Sequence, residues 1–514
     1  MGLGEKDYSL RGRYVAKIEN TSGRKNGKLI LVTAQTSNKF GIGKTTVSIG
    51  LADALNLLGK NCVLALREPS MGPVFGVKGG ATGGGKSEVV PSNDINLHFT
   101  GDFHAIAQAN NLLSSIIDNH IFQGNELDID TSCIYHKRCL DINDRSLREI
   151  EYDIRGKKIK TGFNITAASE VMAIVCLSNN MKELKENLGN ILVAKTTKGK
   201  PVFARDLNAA EPMAALLVDA MKPNLVQTKE GTPALVHFGP FANIAHGCNS
   251  IVATRTALSH SSYCVTEAGF GSDLGAQKFI DIKARVMGRT PDAVVLVVVV
   301  NTTKEHGNGD LEKGFENVKR HIHNIKDVYG LPLVVALNRH KEDSKHDLEL
   351  LAKLCEAEGA KVVLSEGFTK GGNGCENLAK EVVELCKNPV KCNYSYDLDD
   401  TIQKKITDCA KNVYGAGKVE FSATAKEKIA FAKKLGFGGF FINIAKTQFS
   451  FTEDKNILGA PVGHTLHVTD IEIRSGAKMI VAIAGNMVLM PGLAKRSAYN
   501  DIYVDEKNDI KGIF

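Results

Sequence analysis

The chain has 514 residues, more than one hydrophobic core usually supports, so two or three domains are expected. Its 43% hydrophobic and 24% charged residues are ordinary for a globular enzyme. The net charge of +7 is scattered rather than blocked, which suits anionic small molecules and argues against a nucleic-acid partner. The eleven cysteines form no C-x-x-C pair, as expected of reduced thiols. The longest apolar run, residues 293–300, is too short to span a bilayer, and residues 1–6 carry no apolar leader. A cytoplasmic chain with no membrane partner is the expectation.

Residues 28–33 (KLILVT) read as a buried parallel strand. A glycine-containing loop follows. Residues 45–58 then place Val47, Leu51, Ala54, Leu55 and Leu58 at helical spacing, with Gly59 as the stop. Residues 61–66 read as a second strand, which completes a βαβ unit. Further apolar runs at 95–99, 173–177, 265–266, 293–300 and 333–338 repeat the pattern. Such alternation predicts an α/β fold with a P-loop-type, doubly wound, mostly parallel sheet. Ligands of such sheets sit beyond the carboxyl ends of the strands. The informative residues are therefore those after each run: 36–46, 67–70, 100–104, 267–271, 301–307 and 338–343. The last sixty residues alternate apolar and polar, as in a small β-containing domain.

Between the first strand and helix lies Asn38-Lys39-Phe40-Gly41-Ile42-Gly43-Lys44-Thr45-Thr46, which fits G-x-x-x-x-G-K-[ST] apart from Asn38 at the first glycine position. Gly41 and Gly43 allow a tight turn whose N–H groups face a phosphate, reinforced by the helix N-terminus. Lys44 can reach the β and γ phosphates of ATP, and the Thr45 hydroxyl can ligate Mg²⁺. The competing reading is a flexible turn. Lys39, an additional lysine early in the loop, also resembles the loop of partition-type ATPases, so a nucleotide switch stays open as an alternative. Arg67, directly after the second strand, points at the same crevice and can clamp a phosphoryl group or a carboxylate. A surface pair with Glu68 is the alternative. Residues 77–85 hold five glycines in their last seven positions, which implies close backbone approach or a mobile lid.

The segments ALREPSMGPVFGVKGGATGGG and DINLHFTGDFHAI resemble formate–tetrahydrofolate ligases. KPNLVQTKEGTPALVHFGPFANIAHGCNS, VTEAGFGSDLGAQKF, AKTQFS, LGAP and MPGL continue the resemblance, collinear from about residue 8 to 514. It implies a nucleotide-binding domain over 1–320, a second α/β domain over 321–452 that contributes to the acceptor pocket, and a small C-terminal domain over 453–514. It further implies a homotetramer that joins formate to tetrahydrofolate, the co-substrate, at the expense of ATP. Formyl phosphate would be the intermediate, with Lys44 and Arg67 supplying positive charge. His104 would position or deprotonate the attacking amine, or be a structural histidine. Asp102 would hold Mg²⁺ through water, or cap a helix. Compared with the family, an N-terminal helix and parts of 153–161 and 304–311 are expected to be missing.

The departures from the family pattern cluster around the acceptor. Lys86 replaces a tyrosine after the glycines, Ile42 a glutamate in the loop, His340 a phenylalanine, and Phe368 a tryptophan. The resemblance assigns the last two to the walls around the pterin ring, with Lys86 beside them. A folate ligase with Phe368 and His340 still stacking is one reading, and a formyl-phosphate enzyme with a different amine acceptor is the other.

Overall fold

The run Lys28–Ala34 forms the strand at the middle of a twelve-stranded sheet in the computed structural model, which describes residues 1–38, 41–76, 80–388 and 390–513. Seven strands are parallel, in the order Pro233–Val236, Cys62–Leu66, Tyr263–Glu267, Lys28–Ala34, Ala293–Val298, Leu333–Asn338, Lys361–Ser365. Antiparallel strands extend one side: Asn224–Thr228, the hairpin Tyr8–Arg11/Val15–Ile18, and Ser87–Val90 with Gly83–Gly84.

These strands read as unbroken apolar runs because both faces of the sheet are buried. Leu29 and Leu31 enter one core, and Ile30, Val32 and Ala34 the other. The first core holds Phe103, Ile106 and Leu113 of the helix Asp102–Phe122, together with the helix Ile251–His260. The second holds Val47, Leu51 and Leu55 of the helix Lys44–Leu57, together with Leu378 and Val382 of Glu376–Leu385. The fold is thus α/β around a large, mainly parallel sheet.

Two apolar runs expected as strands are helices instead. Residues 173–177 end the helix Glu170–Leu177, whose N-cap Ser169 accepts from the Met172 amide at 3.1 Å. Every position from Val171 to Leu177 is buried, so no polar face marks the helical period, and a short apolar run fits either structure. Residues 95–99 straddle the end of the short helix Ser92–Asn96. Strands on either side of residue 320, and on either side of residue 452, share a sheet. The central sheet takes in Leu333–Asn338 and Lys361–Ser365. A four-stranded sheet joins Lys418–Phe421 and Phe441–Ala445 to the antiparallel pair Thr465–Arg474 and Met479–Ala484. Among the described residues no helix is long and apolar enough to cross a membrane. The eleven cysteines are free, and all but Cys133 are buried.

Candidate active site

The Lys28–Ala34 strand turns through residues 35–43 into the helix Lys44–Leu57. Gly41 (φ 82°) and Gly43 (φ 75°), the latter the N-cap, take left-handed backbone that favours glycine. Position 43 has a second constraint, because a Cβ there would lie 2.6 Å from Asn338 Nδ2. Asn338 ends Leu333–Asn338, two strands along the sheet, and donates from Nδ2 to the Ile42 carbonyl at 3.0 Å. The turn is therefore pinned from the far side of its own helix start. Asn38 is half-buried, Ile42 and Thr46 are buried, and Lys39 and Phe40 lie outside the described residues.

Lys44 and Thr45 face Glu267, the last residue of Tyr263–Glu267. Thr45 Oγ1 donates toward both carboxylate oxygens, at 3.0 and 3.2 Å. Burial pushes the Lys44 ammonium down to about 8; the Glu267 carboxylate opposes that shift and the nearby Arg67 charge adds to it. Arg67 follows the strand Cys62–Leu66 and donates from Nη1 to the Pro240 carbonyl at 3.2 Å, while its buried Nε has no partner. Gly269 makes room for it, since a Cβ there would come within 2.9 Å of Nη1. Arg67 forms no pair with Glu68, which is buried beside Asp102 and Lys17, and burial holds the Glu68 carboxyl well above its usual range. Three adjacent strands thus deliver a lysine, a hydroxyl, a carboxylate and a guanidinium to one crevice. The sequence places Glu267 in the informative segment 267–271 but gives it no role, though an acidic residue ending an apolar strand beside a phosphate loop is a legible signal.

Asp102 is 2% exposed and opens the helix Asp102–Phe122 behind the N-cap Gly101. Its oxygens accept from Lys17 Nζ at 2.6 and 2.8 Å, and Oδ2 also accepts from Asn224 Nδ2 at 2.8 Å. The expected Mg²⁺ ligand is thus committed to a buried ion pair, and Glu267 is the carboxylate beside Thr45. His104, two residues on, is exposed.

The residues expected at the acceptor follow the next strand ends. Asn338 pairs with Ser365, so His340 and Phe368 follow neighbouring strands by two and three residues. The His340 amide donates to Asp343 Oδ2 at 2.7 Å, and Arg339 bridges to Glu366 at 3.1 Å. Phe368 is 56% exposed. Lys86, also exposed, donates its amide to the Phe368 carbonyl at 2.9 Å. The glycine-dense segment serves this approach. Gly83–Gly84 pairs back on Ser87–Val90, and a Cβ on Gly85 would lie 2.1 Å from the Phe368 carbonyl oxygen. Residues 77–79 lie outside the described residues.

The free lysine charge should set the alkaline limb of activity. The charge of the Lys44 ammonium is lost as pH rises through about 8. We expect kcat/KM for ATP, which reports the free enzyme, to fall by about tenfold per pH unit above that value. A flat profile to pH 9.5, roughly one and a half units above it, would contradict this.

A family model for formate–tetrahydrofolate ligase matches residues 1–514. A formate–tetrahydrofolate ligase of Campylobacter curvus (strain 525.92) is 50% identical over 529 aligned positions, which cover 100% of this chain and 96% of that protein. Full-length coverage by the family model, and identity at that level across both chains, place the protein in the formate–tetrahydrofolate ligase family.

Proposed function

We propose that the protein ligates formate to tetrahydrofolate with hydrolysis of ATP, giving 10-formyltetrahydrofolate, ADP and phosphate. Family membership supports the overall reaction. The observation that carries the chemistry is the meeting of Lys44, Thr45, Glu267 and Arg67 at the carboxyl end of a parallel sheet. We assign the sheet to the P-loop-type, doubly wound class, with residues 38–46 as the ATP loop.

Formate is a poor acyl donor because an oxide leaving group would have to depart. In the proposed sequence a formate oxygen attacks the γ-phosphorus of ATP, and the bond from phosphorus to the ADP oxygen breaks. The N10 amine then attacks the formyl carbon of the mixed anhydride, and inorganic phosphate leaves. Such a reaction calls for charge stabilisation and exclusion of water rather than a covalent nucleophile. Lys44 neutralises the β and γ oxygens. Arg67, whose free Nε points to unused donor capacity, holds the formate carboxylate or the moving phosphoryl group. Thr45 and Glu267 present hard oxygen donors about one hydrogen bond apart, which suits Mg²⁺, and these two would hold it. When bound, the ion supplies positive charge at the phosphate oxygens. His104, exposed at its helix start, orients the amine.

Phe368 and His340 would flank the pterin ring, and Lys86 would draw the anionic tail of the folate. The resemblance also supports a cytoplasmic homotetramer, which the native mass checks against four times the 55.5 kDa chain. The experiment on the reaction uses ¹⁸O-formate with ATP and tetrahydrofolate. Label should pass into the released phosphate, because the formate oxygen becomes the bridge to phosphorus. Unlabelled phosphate would sink the formyl phosphate route. Labelled phosphate without formylated folate would point instead to a different amine acceptor, which the altered residues at 86, 340 and 368 favour as the second reading.

A further inference from the structure

Residues 35–37 connect the central strand to the phosphate loop and are held by a closed set of hydrogen bonds. Thr36 is the hub. Its amide donates to Asn317 Oδ1 (3.3 Å), its carbonyl lies 3.3 Å from His306 Nε2, and its hydroxyl meets both Asn317 Nδ2 (2.9 Å) and His321 Nε2 (2.9 Å). Asn317 Nδ2 also donates to the Gly459 carbonyl at 2.9 Å, and the Gly459 amide donates to His306 Nδ1 at 3.2 Å. His321 Nδ1 meets Ser272 Oγ at 2.7 Å. One residue earlier, Gln35 Oε1 accepts from the Val299 amide at 2.9 Å.

The partners assign the protons. Asn317 Oδ1 accepts from an amide, so its NH₂ group faces two acceptors, the Thr36 hydroxyl and the Gly459 carbonyl. Having accepted from Asn317, the Thr36 hydroxyl sends its own proton to His321 Nε2. That leaves the His321 proton on Nδ1, where it reaches Ser272. His306 accepts at Nδ1 from Gly459 and so donates from Nε2 to the Thr36 carbonyl. Burial pushes both imidazoles down, His321 to about 3, so each stays neutral and this pattern holds across the working pH range. All three polar groups of Thr36, and both backbone groups of Gly459, are satisfied by one another's partners.

We propose that Thr36, Asn317, His321 and His306 are positioning residues for ATP. They fix the stem of the phosphate loop in its binding geometry and tie it to the turn at Gly459, between the strands Phe441–Ala445 and Thr465–Arg474. Gly459 takes left-handed backbone (φ 75°), which lets its amide and carbonyl both face the clamp. None of these side chains touches substrate in this scheme. Their effect is to remove the cost of ordering the stem when nucleotide binds, since a stem already held in place keeps more of the gross binding energy. The inference rests on residues 38–46 being the ATP loop.

The test compares Thr36→Val, which keeps the shape and loses the hydroxyl, with Thr36→Ser, which restores it, and with Asn317→Ala. Nucleotide affinity is read by calorimetry with ADP, and KM for ATP is set against kcat at saturating ATP. Thr36→Val and Asn317→Ala should raise KM for ATP and weaken ADP by about tenfold or more, the scale of one lost hydrogen bond, with kcat little changed. Thr36→Ser should recover parent affinity. If Asn317→Ala fails to fold, the Thr36 pair carries the test alone. Parent-like affinity in Thr36→Val, or a Thr36→Ser as weak as Thr36→Val, would overturn the clamp. Lys44→Ala separates the two ideas. If it abolishes ATP affinity while Thr36→Val does not alter it, the clamp fails and the loop assignment stands; if Lys44→Ala binds normally, the loop assignment fails and takes the clamp with it.

Discussion

Lys44→Ala is expected to lower ATP-dependent turnover by about 10²–10³-fold, the loss seen when one preorganised donor is removed from a developing charge. The fold should survive the change. In the ligand-free protein the lysine is held against its own solvation: burial outweighs the pull of Glu267 and leaves its pKa at about 8. Removing such a charge relieves a cost, and the remaining contacts of the loop do not depend on it. Thr45 still reaches Glu267, and Asn338 still holds the Ile42 carbonyl. The melting temperature should therefore stay level or rise while turnover collapses. This split is the signature of a group whose partner is the substrate. A variant that turns over at near the parent rate would remove the lysine from the site, and one that unfolds would make its role structural.

The half of the site proposed to bind phosphate is legible in the sequence because its residues are local. Gly41, Gly43, Lys44 and Thr45 sit at fixed spacing between a strand and a helix, and Arg67 follows the next strand, so neighbouring residues carry the signal. Glu267 and Asn338 were harder to see. Glu267 matters because its strand lies directly beside the phosphate-loop strand, and Asn338 because its strand lies one further over, beyond Ala293–Val298; both placements are facts of topology. Glu267 belongs to a strand some 220 positions on, which hydrogen-bonds directly to Lys28–Ala34. Asp102 illustrates the same point. A carboxylate just before a helix looks available for a cation until Lys17, 85 residues upstream, is found against it. The helix Glu170–Leu177 reads as a strand in the sequence because complete burial erases its polar face. Composition thus reports burial faithfully and is silent about what lies across the interface.

The same reasoning predicts the largest effect on stability, at Lys446 of the AKTQFS segment. Lys446 follows the strand Phe441–Ala445 and reaches Asp273 Oδ2 at 2.7 Å, with both side chains essentially excluded from water at 0% and 1% exposure. Its ammonium also donates to the carbonyls of Thr447 and Ser450. Asp273 is worse provided, since its Oδ1 is buried without a partner. The pair is therefore asymmetric. Lys446→Met would leave a carboxylate stranded in the core and should cost about 3–5 kcal/mol, the usual penalty for breaking a buried pair from one side. Asp273→Asn leaves the ammonium its two carbonyls and a neutral neighbour, so it should cost less. Combining Lys446→Met with Asp273→Leu removes both charges and should recover most of the loss, because desolvation offsets much of the attraction within a buried pair. Urea midpoints at fixed protein concentration measure all three. If Lys446→Met unfolds at the parent midpoint, or the double variant is weaker than either single one, the pair does not carry the stability assigned to it. The recovery in the double variant is the decisive reading, since only an unpaired charge makes one substitution worse than two.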